Sequence, residues 1–167
     1  MSHLKERHRD ATSVSEEKIS PVVELANEMY KNIRMGADAI LHLLPKLNEK
    51  SQNAGSMKTH MSASLCFYEK VSVKIKDILV AHGAEAKQEG LMTRTMARMG
   101  ITMNTAMDAT DSHIAQMLIE GSTMAVSQMT RLTHQFARED GCSELMEIAD
   151  EVIVFEQGQI EHLKNFL

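Results

Sequence analysis

Apolar residues return at steps of three and four over most of the chain, the pattern of helices that bury one face and leave the other to water. The first run starts at Ser20-Pro21. Its stripe is Val22, Leu25, Met29, Ile33, Ala37, Ile40 and Leu44, with Glu24, Lys31, Arg34 and Asp38 largely off it. Serine suits the N-cap, where its oxygen can accept from an orphan amide, and proline suits the first helical position, where a missing N–H leaves nothing unpaired. Pro45 and Asn48 mark the end. A second run from about Met57 to Ala81 carries Met61, Leu65, Tyr68, Ile75 and Leu79, keeps Lys70, Lys74 and Lys76 away, and stops at His82-Gly83.

A third run, from about Met103 to Ala137, carries Met103, Met107, Ile114, Met117, Gly121, Met124 and Leu132, and Asp140-Gly141 closes it. Gly121 on that face predicts a close approach by a neighbouring helix, since glycine inside a helix costs about 1 kcal/mol relative to alanine. Ser143 is expected to cap a fourth run, with Glu144 and Glu147 near the positive end of the helix dipole. Leu145, Ile148, Val152, Phe155, Ile160, Leu163 and Phe166 are its stripe.

The links between runs differ in length, and this bears on topology. Polar residues 48–56 join the first pair and a handful of residues join the last, so each pair reads as an antiparallel hairpin. The stretch 83–102, broken by Gly83, Gly90 and Gly100, is long enough to travel the length of a bundle. The reading is a four-helix bundle with a long crossover between helices two and three. An up-down-up-down bundle with a short extra helix at Leu91 to Met99 is the alternative.

Composition agrees with helix. The 167 residues are 43% hydrophobic but only 4% aromatic, with two prolines and no tryptophan, which is poor material for strands. The fold class is therefore all-α, with one domain over 20–167 and a loosely attached or disordered arm over 1–19. Eighteen basic against 23 acidic residues give a net charge of −5, which argues against nucleic acid as a partner. No apolar stretch approaches the roughly 18 residues of a membrane span, and the charged N-terminal residues do not read as a secretory leader. Two cysteines, Cys66 and Cys142, without CxxC spacing predict a reducing cytoplasmic setting.

With the four runs in place, the C-terminal stretch from Glu151-Val152-Ile153-Val154-Phe155-Glu156-Gln157-Gly158 through Gln159-Ile160-Glu161-His162-Leu163-Lys164-Asn165-Phe166-Leu167 resembles those of small bacterial ferritin-like proteins. That resemblance implies a ferritin-like bundle. In the superfamily's active members it further implies a di-iron or di-manganese centre, built from a Glu on each of two helices and a Glu-x-x-His on each of the other two. No glutamate here has a histidine three residues later: Glu28 is followed by Lys31, Glu69 by Ser72, Glu120 by Thr123 and Glu156 by Gln159. The motif is absent. A degenerate centre holding iron or manganese would have to use one carboxylate per helix, and the metal candidates are Glu28, Glu69, Glu120 and Glu156. Glu156 borders the apolar stripe, where a carboxylate needs a partner. It is read first as a rim group paired with lysine or open to solvent.

The 14 methionines suggest other chemistry. Met92, Met96, Met99, Met103 and Met107 would line one side of a helix, continued by His113 and Met117, and soft thioethers favour Cu(I). Methionine is also an adaptable packing residue, so core filling or a homodimer face is the competing reading. The eight histidines, His3, His8, His42, His60, His82, His113, His134 and His162, form no HxxxH or HExxH pair and read as surface or capping residues. Cys66, beside Leu65, is expected to be buried, and Cys142, at a helix start, to have a thiol whose pKa can fall. No GxSxG, P-loop or GxGxxG string occurs. The function expected is therefore a non-catalytic interaction or structural module, a homodimer with no cofactor. The alternatives are a degenerate iron or manganese carboxylate protein and a Cu(I) binder.

Overall fold

The computed structural model describes residues 19–87 and 110–167, and every regular element among them is helical. Helix α1 spans Pro21–Leu43 and runs into a 3-10 turn at Leu44–Lys46. Helix α2 spans Ala54–Ala81, α3 spans Asp111–Phe136, and α4 spans Ser143–Leu163, followed by a 3-10 turn at Lys164–Phe166. The N-terminal arm up to residue 18, the short helix expected at Leu91 to Met99, and Met92, Met96, Met99, Met103 and Met107 lie outside the described residues.

Helices α1 and α2 pack along each other, as do α3 and α4, and α1 also packs on α3. The first pair is antiparallel: Arg34 meets Glu69, while Lys76 sits over the Tyr30 ring, 5.4 Å from its centroid. Side chains bridge α2 to α4 at three levels, Ser64 to Gln159, Tyr68 to Glu156 and Lys74 to Glu151, each at 2.6 Å. Those pairs run in opposite numerical order, so α2 and α4 are antiparallel too. At the start of α3, Asp111 accepts a hydrogen bond from Ser51, in the turn that leads into α2.

The stripes read from periodicity form the core. Val22, Leu25, Met29, Ile33, Ala37 and Ile40 are buried on α1, and Met61, Tyr68, Ile75 and Leu79 on α2, with Leu44 and Leu65 packed against them. Burial of side chains like these stabilises by roughly 1.5–3 kcal/mol each, and it is this packing that holds the helices in register. On α3 the buried row drifts. It includes Ile114, Met117, Ser122, Met129 and Leu132, while Met124, expected on the stripe, is exposed. Every seven residues an α-helix falls about 20° short of two turns, so a heptad reading places Met124 inside where the straight helix rotates it out.

The helix ends show where capping signals succeed and fail. Ser20 occupies the N-cap of α1 and Pro21 the first turn, but the serine side chain makes no capping bond. Ser143 is not a cap. It is the first residue of α4, and the N-cap position belongs to Cys142, with no side-chain capping bond. Thr110 caps α3, accepting from the His113 amide at 3.2 Å, so this helix begins eight residues after the Met103 start read from the pattern. Helix α2 begins three residues before the expected Met57. At its far end Gly83 takes φ +68°, and Ala84 N donates to Leu79 O at 2.9 Å, closing the helix as a glycine stop should. Among the described residues no helix is long and apolar enough to cross a membrane.

Candidate functional site

The chemistry of this bundle gathers at its middle, where one acidic side chain is taken out of water. Glu156 lies in the buried row Leu145, Ala149, Val152, Glu156 and Leu163 of α4 and is 1% exposed. It is therefore no rim carboxylate, and among the described residues no lysine pairs with it. Its partner is Tyr68 on α2, whose hydroxyl donates to Oε1 at 2.6 Å, while Oε2 is buried without a hydrogen-bond partner among the described residues. Burial pushes the Glu156 carboxyl up from its ordinary range, opposed by hydrogen bonding from Tyr68 and by the Ser122 hydroxyl beside it. Tyr68 is pushed well above the usual phenol range by the same burial, and by the acid that it faces.

Around this pair lies a cavity of about 60 Å³ lined by residues of all four helices. Its walls are mainly apolar, with Ile33, Ile40, Met61, Met117 and Met129 buried. Met35 and Gly36 on α1 and Leu118, Gly121 and Ala125 on α3 are half-buried members of the lining, which places the mouth along the seam between these helices. Gly121 does not mark the close helix approach that its position predicts. A Cβ built there would meet nothing within 4 Å, so the missing side chain contributes open space. Gly36 is the tight position: a Cβ there would come within 3.2 Å of the Tyr68 ring. Its lack of a side chain lets the phenol lie against α1 and reach Glu156.

The polar floor continues below Tyr68. Ser64 donates to Gln159 Oε1 at 2.6 Å. The His60 and His162 rings stack with centroids 4.6 Å apart, and burial together with His162 lowers the His60 pKa. Above the floor, Phe67 and Phe155 stack at 3.7 Å on the α2–α4 seam.

The four candidate metal ligands are not brought together. Glu28 pairs with Lys31 one turn along its own helix at 2.7 Å. Glu69 pairs with Arg34 at 2.6 Å, facing away from the cavity-lining Tyr68 before it. Glu120 is exposed and accepts from Gln116 at 3.3 Å. Of the four, only Glu156 lines the cavity. The position three residues on, where the ferritin-like motif needs an imidazole, holds Gln159, and α1 and α3 line the cavity without any carboxylate or imidazole. This donor set does not fit a two-ion carboxylate centre, and among the described residues no group of three or more His, Cys, Asp or Glu could hold a metal ion.

The cysteines exchange roles relative to expectation. Cys66 is exposed, whereas Cys142 is buried, and burial with Glu139 nearby pushes its thiol up rather than down. The exposure of Cys66 follows from helix phase, since it falls one step past Leu65 and so off the buried face. The residues that sequence reasoning passed over are Tyr68 as a hydrogen-bond donor, Ser122 and Gln159. One signal was available: Tyr68 and Glu156 are polar-tipped residues within otherwise apolar rows on two helices, and a buried polar group requires a partner. No family model, curated protein or solved structure matches this chain.

Proposed function

We propose that this chain is a non-catalytic binding module on a ferritin-like bundle, and that its mid-bundle cavity takes a small, mainly apolar ligand with one polar end. The single observation that carries this is the buried, half-satisfied Glu156–Tyr68 pair at the floor of an apolar cavity reached by all four helices. Ligand sites of this kind combine apolar walls with a few placed polar groups. The cavity hydroxyls of Ser64 and Tyr68 donate to Gln159 and Glu156, which favours binding over group transfer.

The ferritin-like connectivity rests on the hydrogen bond from Ser51 to Asp111. It puts the first residue of α3 beside the start of α2, a helix of 28 residues, which supports a crossover rather than a short turn between them. In an up-down-up-down bundle α3 would start beside the end of α2 instead. The reading extends to a homodimer, favoured by the exposed Val73 and Val80 on one side of α2, and light scattering of the full chain tests it.

The binding reading is tested by titrating the full chain with n-butanol while following the methionine methyl resonances. Shifts confined to the cavity methionines, Met35, Met61, Met117, Met124 and Met129, are the expected result, and Gly121→Leu, which fills the space, removes them. Shifts absent in the wild type, or unchanged in Gly121→Leu, overturn it.

A further inference from the structure

We infer that the ligand this cavity selects is a small organic ammonium ion, its apolar body among the methionine and isoleucine side chains and its N–H donating to Oε2 of Glu156. The inference rests on the binding reading above and adds the charge of the occupant. An ionised carboxylate only accepts, so a buried oxygen without a partner calls for a donor from the occupant. Tyr68 Oη already donates to Oε1. Among the described residues there is no counter-charge: the titratable residues lining the cavity are His60 and Tyr68 from α2 and Glu156 itself from α4, and α1 and α3 contribute none. His60 is itself shifted toward its neutral form by burial and by His162.

Size narrows the class further. A cavity of about 60 Å³ corresponds to roughly four or five water-sized spheres, which is the room for a primary ammonium on a chain of about four carbons. Polarizable thioethers and an aromatic ring are compatible surroundings for such a body. Burial pushes the Glu156 carboxyl up and a bound cation opposes that push, so proton release accompanies binding wherever the acid is still partly protonated, leaving a carboxylate–ammonium pair.

The test compares n-butylammonium with n-butanol on the full chain by the same methyl-shift titration. The ammonium is expected to bind about tenfold more tightly at about pH 8, as suits a hydrogen bond to a charged group. Its affinity should rise from about pH 5 to about pH 8 while that of the alcohol stays level, because only the former needs the carboxylate ionised. Glu156→Gln should bring the two probes within about twofold. The wild-type pH profile carries the test by itself if that variant does not fold. If the alcohol binds and the ammonium binds no better, the ammonium inference falls and the cavity reading stands. If neither binds, both fall.

Discussion

Residues 68 and 69 are neighbours on α2, yet they serve two carboxylates in opposite circumstances. Glu69 faces outward, its side chain 52% exposed, and meets the Arg34 guanidinium at 2.6 Å with water to screen both charges. Tyr68 faces inward and donates to Glu156, which is 1% exposed and among the described residues has no cation against it. The exposed pair looks stronger on charge alone. In water that attraction is mostly cancelled, whereas a buried acid depends on whatever few donors the fold supplies. Little stability should rest on the ion pair, and a good deal on one phenol hydroxyl.

The largest expected effect is therefore at the phenol. Tyr68→Phe should lower unfolding stability by about 1–3 kcal/mol in urea denaturation, because it strips the buried Glu156 Oε1 of its donor. Adding Glu156→Leu to the same chain should restore the loss or exceed it, since the acid that needed the donor is gone. A single substitution that proves harmless would end the contrast between the two pairs.

The pH dependence comes next. The folded-state pKa of Glu156 is raised, so the folded protein holds this proton more tightly than the unfolded chain. Its contribution is fully present below the ordinary carboxylate value of about 4.3, and is lost as pH rises through the raised folded value. Urea midpoints of the wild type should accordingly fall relative to Glu156→Gln as pH is raised from about 4 toward neutrality. Parallel profiles would show that the carboxyl titrates as though exposed.

Gly121→Ala should stabilise by about 0.5–1 kcal/mol in thermal melts, for a methyl on open space adds helix propensity without a clash. The same change at Gly36 should not help, because the new methyl would press on the Tyr68 ring at 3.2 Å. The smallest effect belongs to the exposed pair. Arg34→Met should change stability by about 0.2–1 kcal/mol, shrinking further in molar salt, as measured by denaturation at two ionic strengths.

Much of the fold was legible along the chain, and the reasons are local. The α1 stripe emerged as read because each of its positions obeys one period over six turns, and His82-Gly83 stopped α2 because a glycine stop needs only its own residues. Legibility failed where a decision depended on phase or on a second helix. Cys66 was misplaced by one helical step and Met124 by the drift of a heptad reading, and Ser143 was taken for a cap that falls one residue earlier. At the site, Glu156 was recognisable as a carboxylate at an apolar stripe. That it sits in the centre of the row, facing Tyr68 from 88 residues away, was not.

The sequence by itself determined four amphipathic helices and the absence of the Glu-x-x-His pairs, because periodicity and short-range motifs are written into one stretch of chain at a time. Only the tertiary structure decided which acid lost its water, which glycine leaves space rather than closing it, and which tyrosine answers which glutamate. Those outcomes belong to pairs of helices, whose rotation and level against each other are set by packing over the whole bundle.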